Sequence, residues 1–215
     1  MSTTLFQTPL TVMFAGPSGC GKTELVKQIA ARPEVVFDRP PKQIIICYDR
    51  TQTAYEDIKN ASKIPVRLVK GLPPNLNPMK RTLIIIDDLQ QFSDLICDWF
   101  TKGSHHGDCD VIYLTQNLFL KTPSHRTASL NAHVLVIFKN LRDKTQIKCL
   151  ARQLSPDDPH FIMSAYEQAT SRAYGYLVIN LKQDTPDRLR VRDSFFPEET
   201  NFYLDKRSGE IFELS

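Results

Sequence analysis

The run Gly16-Pro17-Ser18-Gly19-Cys20-Gly21-Lys22-Thr23 constrains this chain more than any other segment, because it satisfies G-x-x-x-x-G-K-[ST] in full. An apolar stretch, Leu10 to Ala15, precedes it, and Leu25, Val26, Ile29 and Ala30 follow at helical spacing. Strand, glycine turn and helix in that order are what a phosphate-binding loop requires. Three of the chain's eight glycines fall at positions 16, 19 and 21, where backbone N–H groups must turn inward around an anion without Cβ atoms in the way. The loop amides from Gly16 through Glu24 are the expected phosphate cradle, with Lys22 reaching the β and γ phosphates of ATP and Thr23 offering its hydroxyl to Mg²⁺. A glycine-rich turn that merely resembles the pattern would not need this flanking context. Cys20 occupies a free position of the loop and reads either as a reactive thiol or as an inert loop residue.

The rest of the chain fits an α/β fold. Further β-branched runs occur at Gln43–Tyr48, Val66–Val69, Thr82–Ile86, Asp110–Leu114, Val134–Phe138 and Tyr176–Leu181. Leu83-Ile84-Ile85-Ile86 has no polar alternation, the mark of a strand covered on both faces in a parallel sheet. Between the strands, Phe92, Leu95, Ile96, Trp99 and Phe100 paint one helical face, and Ile147, Leu150, Ala151 and Leu154 paint another. Ser155-Pro156-Asp157-Asp158-Pro159 supplies cap residues and an N1 proline for a helix to about Ser171. The expectation is one three-layer domain over residues 1–215, with a mostly parallel core at about 10–181. A terminal β-hairpin or meander is expected from about Thr185, with a turn at Arg207-Ser208-Gly209. At 215 residues and 41% hydrophobic composition, the chain has enough apolar mass for one substantial core. A net charge of +3 is too small to indicate nucleic-acid binding by itself. No run of about 18 apolar residues is present, and the first ten residues lack a signal-peptide pattern, so a protein working inside a cell, away from membranes, is expected. Five widely spaced cysteines without a C-x-x-C pair fit buried thiols in a reducing compartment.

Leu83-Ile84-Ile85-Ile86-Asp87-Asp88 ends a buried strand in two carboxylates at the sheet edge where nucleotides lie. Asp87 is the expected Mg²⁺ ligand alongside Thr23. Asp88, leaving the strand end in the other direction, is placed to orient and deprotonate an attacking water. An acidic turn capping the following helix is the competing reading. The strand run Gln43–Tyr48 between the loop and this pair points to the RecA-like additional-strand class of ATPases, and no [NT]-K-x-D guanine motif follows. The next strand ends in Thr115-Gln116-Asn117; a neutral amide at Gln116 can donate to the γ-phosphate or the lytic water, where a carboxylate would repel.

Taken in order, GPSGCGKT, LIIIDD, FTKGSHHGDCDVIYLTQNLF and SLNAHVLVIFKNLRDKTQ resemble the genome-packaging ATPases of the FtsK/HerA superfamily over roughly residues 10–155. The relevant branch includes those of Polinton/Maverick elements, virophages, adintoviruses and the poxvirus-type packaging ATPases. The resemblance implies a pentameric or hexameric ring of identical subunits in which ATP hydrolysis drives double-stranded DNA, without sequence preference, into a preformed capsid. A capsid portal or vertex protein is then a possible partner, and a host nucleus, cytoplasmic virus factory or virion the setting. Ring motors of this kind complete each site with an arginine from the neighbouring subunit; Arg142, after the strand Val134–Phe138, and Arg126, expected in the loop after the Gln116 strand, are the candidates. A P-loop kinase would need an acceptor pocket and an arginine-rich lid, and a nucleotide-gated assembly protein that does not hydrolyse would not need Asp88 and Gln116.

Three weaker signals complete the reading. His105, His106 and Cys109 are close in sequence, but adjacent histidines point apart and no second ligand pair follows. Lys102 to Asp108 reads either as a pore-facing loop meeting DNA phosphates or as a solvated turn. Arg188, Arg190 and Arg192 would share one face of a strand as a basic stripe, or simply protect an edge.

Overall fold

The computed structural model describes residues 5–72, 80–89, 93–103, 108–119 and 122–205. Eight strands form one sheet: β1 (Thr11–Ala15), β2 (Gln43–Tyr48), β3 (Val66–Lys70), β4 (Thr82–Asp87), β5 (Asp110–Thr115), β6 (Val134–Phe138), β7 (Tyr176–Asn180) and β8 (Val191–Arg192). Their order is β3-β2-β4-β5-β1-β6-β7-β8. The first six run parallel, β7 runs antiparallel to β6, and β8 antiparallel to β7. The additional strand between the phosphate loop and the acidic pair is therefore β5, hydrogen-bonded to both β1 and β4. The Gln43–Tyr48 strand lies between them in sequence but takes the far side of β4 in the sheet.

Residues of successive pleats separate into two apolar layers, as the period of two along a strand demands. On one face Met13, Ile84, Ile86, Val111, Tyr113, Leu135, Ile137 and Leu177 pack in a common core with Ile96 of α3 (Ser93–Asp98), Ala128 of α4 (Pro123–Leu130), Ile147 of α5 (Thr145–Leu154) and Ile162 of α6 (Pro159–Ala169). On the other, Phe14, Ile46, Ile85, Leu114, Val136 and Phe138 pack with Val26 and Ile29 of α1 (Lys22–Ala31) and Ile58 of α2 (Thr53–Ala61). This is the three-layer α/β arrangement. Helix α6 begins with Pro159 at its first position, as expected, and α3 passes into a π-helical turn, Trp99–Gly103, that carries the buried Phe100.

The C-terminal segment extends the sheet with short, interrupted β structure. After β7 come a 3₁₀ turn (Asp187–Leu189), the two-residue β8, a second 3₁₀ turn (Pro197–Glu199) and a bridge from Arg192 to Phe202. The basic stripe does not form. Arg188 lies in the 3₁₀ turn, and Arg190 pairs with Asp187 at 2.7 Å. Arg192 is 3% exposed, with its guanidinium 4.2 Å from the Phe6 ring centroid. Phe6 also meets Phe195 at 4.5 Å, so the segment before β1 packs against the segment after β8. The turn expected at Arg207-Ser208-Gly209 lies outside the described residues. No helix among the described residues is long and apolar enough to cross a membrane.

Asp110 opens β5 nearly buried, with its Oδ1 accepting the Leu10 N–H at 2.8 Å. Burial, with Asp38 and Asp108 adding to it against the Leu10 bond, pushes its pKa up from 3.8 to about 7. A carboxyl whose folded pKa is raised contributes stability that is present below its unfolded pKa and lost as pH rises through the folded value. The window is therefore about pH 4 to 7. In Asp110→Asn the amide oxygen keeps the Leu10 bond without the titration. Urea unfolding should show the variant gaining on the wild type by about 2–4 kcal/mol between pH 4 and pH 8; parallel pH curves for the two proteins would refute this.

Candidate functional site

The sheet register brings the chemistry-bearing residues to one edge. Ala15 of β1 pairs with Thr115 of β5, and Asp87 of β4 with Leu114. The residues that follow, Gly16, Gln116 and Asp88, therefore leave neighbouring strands side by side. Two backbone bonds tie them to β5: Gly16 N–H donates to Thr115 O at 3.2 Å, and Asp88 N–H to Leu114 O at 3.0 Å.

Glycine is required in the loop for two reasons. A Cβ on Gly16 would stand 2.7 Å from Phe138 Cβ and 2.9 Å from Cys20 Sγ, inside contact distance. Gly21, at φ 105°, caps α1 in a left-handed conformation that a Cβ would disfavour. No side chain caps the first turn of α1, which leaves its N–H groups to an anion. Pro17 is half-buried, and Ser18 and Gly19 are exposed at the crest. Lys22 lies across the loop, with Nζ donating to Gly16 O at 2.6 Å and Pro17 O at 3.0 Å. Thr23 is half-buried at the start of α1. Glu24 points its side chain to solvent, 3.9 Å from Lys27, so only its backbone N–H suits a phosphate. Burial raises the Cys20 thiol pKa despite the opposing Lys22 charge, which assigns it to the inert reading.

Asp87 is 8% exposed, and its Oδ2 accepts the Tyr55 hydroxyl at 2.7 Å. Burial raises its carboxyl pKa, with the Asp88 charge acting in the same direction, while the Tyr55 bond and the Lys22 charge oppose the shift. A second carboxylate beside one already hard to ionise asks for a cation. The Asp87 carboxylate and the Thr23 hydroxyl are hard oxygen donors of the kind Mg²⁺ prefers. Asp88 sits at φ 51°, a left-handed backbone uncommon outside glycine, and its Oδ2 accepts Gln116 Nε2 at 2.7 Å. The residues expected to act as base and sensor are thus hydrogen-bonded to each other.

A polar relay begins at the two residues that follow Gln116. Gln146 Oε1 accepts the Leu118 N–H at 2.8 Å, and its Nε2 donates to Asp143 Oδ2 at 3.0 Å and Asn117 Oδ1 at 3.3 Å. Asn140 Oδ1 in turn accepts the N–H groups of Arg142 (3.0 Å) and Asp143 (3.1 Å), ordering the turn after β6. A cavity of about 20 Å³ lined by Gly16, Gln116, Phe138, Asn140, Gln146 and Tyr166 joins loop, sensor and turn. Arg142 is exposed on that turn. Arg126 is also exposed, but it lies on α4 rather than in a loop, because Pro123 at the first position and the Thr122 Oγ1 cap, which accepts the His125 N–H, start the helix before it. Larger hollows, of about 540 and 820 Å³, lie around Tyr203, the second reaching Ser171 and Arg172 in the turn before β7.

No protein-family model and no curated protein matches the chain. Among solved structures it is similar to the genome packaging NTPase B204 from Sulfolobus turreted icosahedral virus 2, determined in complex with ATP-γ-S. The TM-score is 0.53 at 13% identity, over 95% of this chain and 98% of that one. The fold is that of a P-loop NTPase. Weaker overlaps occur with Thermomonospora curvata EccC, a type VII secretion ATPase. Its cytoplasmic domain gives a TM-score of 0.42 at 14% identity, over 63% of this chain and 20% of that one. Its ATPases 2 and 3 in complex with a signal sequence peptide give 0.39 at 11%, over 60% and 29%.

Within this P-loop NTPase fold, the residues expected from the sequence at one edge are brought together: the 16–24 loop, Asp87, Asp88 and Gln116. Tyr55 and Gln146 belong to the same arrangement but carry no local motif. Gln146 reads in sequence as one more position beside the Ile147–Leu154 helical face. His105 and His106 lie outside the described residues, among which no cluster of histidine, cysteine and carboxylates suits a metal.

Proposed function

We propose that the protein is a Mg²⁺-dependent ATP hydrolase that translocates double-stranded DNA as a ring of identical subunits, packaging a viral or virus-like genome into a capsid. The observation that carries the hydrolytic part is the 2.7 Å bond between Gln116 and Asp88, one strand away from the phosphate loop. A binding module needs the loop; only a hydrolase needs a carboxylate base held by a neutral amide beside it. The packaging part rests on the ordered sequence motifs and is in keeping with the fold shared with the B204 packaging NTPase.

In this reading the loop amides and Lys22 hold the β and γ phosphates, and Thr23 and Asp87 hold Mg²⁺, Asp87 being oriented by Tyr55. Bound Mg²⁺ supplies charge neutralisation of the phosphate oxygens. Gln116 turns from Asp88 to the γ-phosphate, and the released carboxylate takes the proton of the attacking water. Arg142, on an ordered turn beside the site, is the favoured residue for reaching a neighbouring subunit's nucleotide, with Arg126 the alternative.

Steady-state ATPase activity with and without long double-stranded DNA tests the assignment. DNA should raise turnover severalfold, and more at low than at moderate salt, since phosphate contacts release counterions. Turnover that DNA leaves unchanged while a small acceptor becomes phosphorylated would instead establish a kinase.

A further inference from the structure

We infer that Tyr174 is the platform on which the base of the nucleotide stacks. The inference rests on the proposed nucleotide site and adds a subsite to it. Tyr174 lies in the turn between α6 and β7, 68% exposed. Its backbone is left-handed at φ 57°, a conformation a bulky residue adopts only where its surroundings impose it. The ring stands against the phosphate loop: a Cβ on Gly21 would meet Tyr174 Cβ at 3.5 Å and Cδ1 at 3.6 Å, immediately before Lys22 and Thr23. An aromatic side chain so exposed would normally leave solvent, and here it is held beside an anion cradle.

The turn that carries it is fixed from two sides. Lys139, at the end of β6, donates its N–H to Gly175 O at 2.9 Å and its Nζ to Ser171 O and Arg172 O, both at 3.3 Å. Gly175 packs so tightly that a Cβ there would lie 2.3 Å from Ala169 O. Because β7 runs antiparallel to β6, its first residue Tyr176 pairs with Phe138 at the last position of β6, which delivers the turn to the phosphate-loop edge.

Sheet order then decides which part of a nucleotide reaches it. Asp87 ends β4 and Gln116 follows β5, on one side of β1, while β6 and β7 stand on the other. A triphosphate gripped at Lys22 with its γ end toward Asp87 directs its nucleoside to the β6–β7 side. A planar base lying there has the Tyr174 face as its partner, a contact that depends on π-surface rather than on base identity.

Equilibrium binding of Mg-ADP and of Mg-pyrophosphate, measured by calorimetry on the full chain, tests this. Tyr174→Gly keeps the left-handed backbone without strain and removes only the ring. It should weaken ADP about tenfold or more, leaving pyrophosphate within twofold, while Tyr174→Phe should bind ADP like the wild type. Equal weakening of both ligands, no change in ADP affinity, or a shift confined to the sedimentation profile of the assembly would overturn the assignment, the last marking Tyr174 as a subunit contact. Failure of the wild type to bind either ligand would instead remove the proposed nucleotide site itself.

Discussion

Asp88→Asn should lower ATP turnover by about 10²–10⁴-fold while leaving nucleotide affinity close to that of the wild type. The substitution is isosteric, and the asparagine oxygen can still accept the Gln116 amide that Asp88 Oδ2 accepts at 2.7 Å. The turn geometry, including the Asp88 N–H bond to Leu114 O, has no reason to change. What disappears is the capacity to take a proton from water. Single-turnover measurements with excess enzyme would separate this loss from product release. Loss of affinity in parallel with rate would show that Asp88 holds ligand rather than activating water, and unchanged turnover would return it to the helix-capping reading.

Lys22→Ala should act on the opposite quantity. Its Nζ is the cation nearest the loop carbonyls, bonded to Gly16 O and Pro17 O, and a triphosphate must draw it from them. Hydrogen bonds to charged groups are worth about 1.5–3 kcal/mol net, so nucleotide dissociation constants should rise by roughly 10–150-fold. The kcat/KM should fall further, by more than about 10²-fold, because the same charge also meets the negative charge that builds in the transition state. Fluorescence or calorimetric titration with ATP, set beside steady-state rates, checks both. Retained affinity with lost turnover would place Lys22 in catalysis alone. Retained turnover would sink the phosphate-loop assignment.

The phosphate loop, Asp87, Asp88 and Gln116 were legible in the sequence because each sits at a fixed offset from an unambiguous apolar run, and such runs become strands whose ends share an edge. Seven of the strands were readable for the same reason. The sheet order was not, since whether β2 or β5 lies beside β1 depends on which helices fill the two apolar layers, a matter of packing rather than local pattern. Arg188, Arg190 and Arg192 alternate like a strand, but Asp187 holds Arg190 by a local i,i+3 pair and Phe6 offers Arg192 a ring, so one local and one distant partner override the period of two. Arg126 reads as a loop residue because its helix is short with few apolar positions, although Thr122 and Pro123 mark its start. Tyr55 and Tyr174 stood outside any motif. Their importance comes from what the fold sets opposite them, Asp87 for one and Gly21 for the other.

The contact of Phe6 with Arg192 and Phe195 has a mechanical consequence within the domain. Arg192 and Phe195 hold Phe6, and Phe195 also meets Phe14 of β1 at 5.8 Å edge-on, the strand that leads into the phosphate loop. A load placed on the 192–195 segment is therefore felt by the strand that leads into the 16–24 loop rather than absorbed by a slack tether.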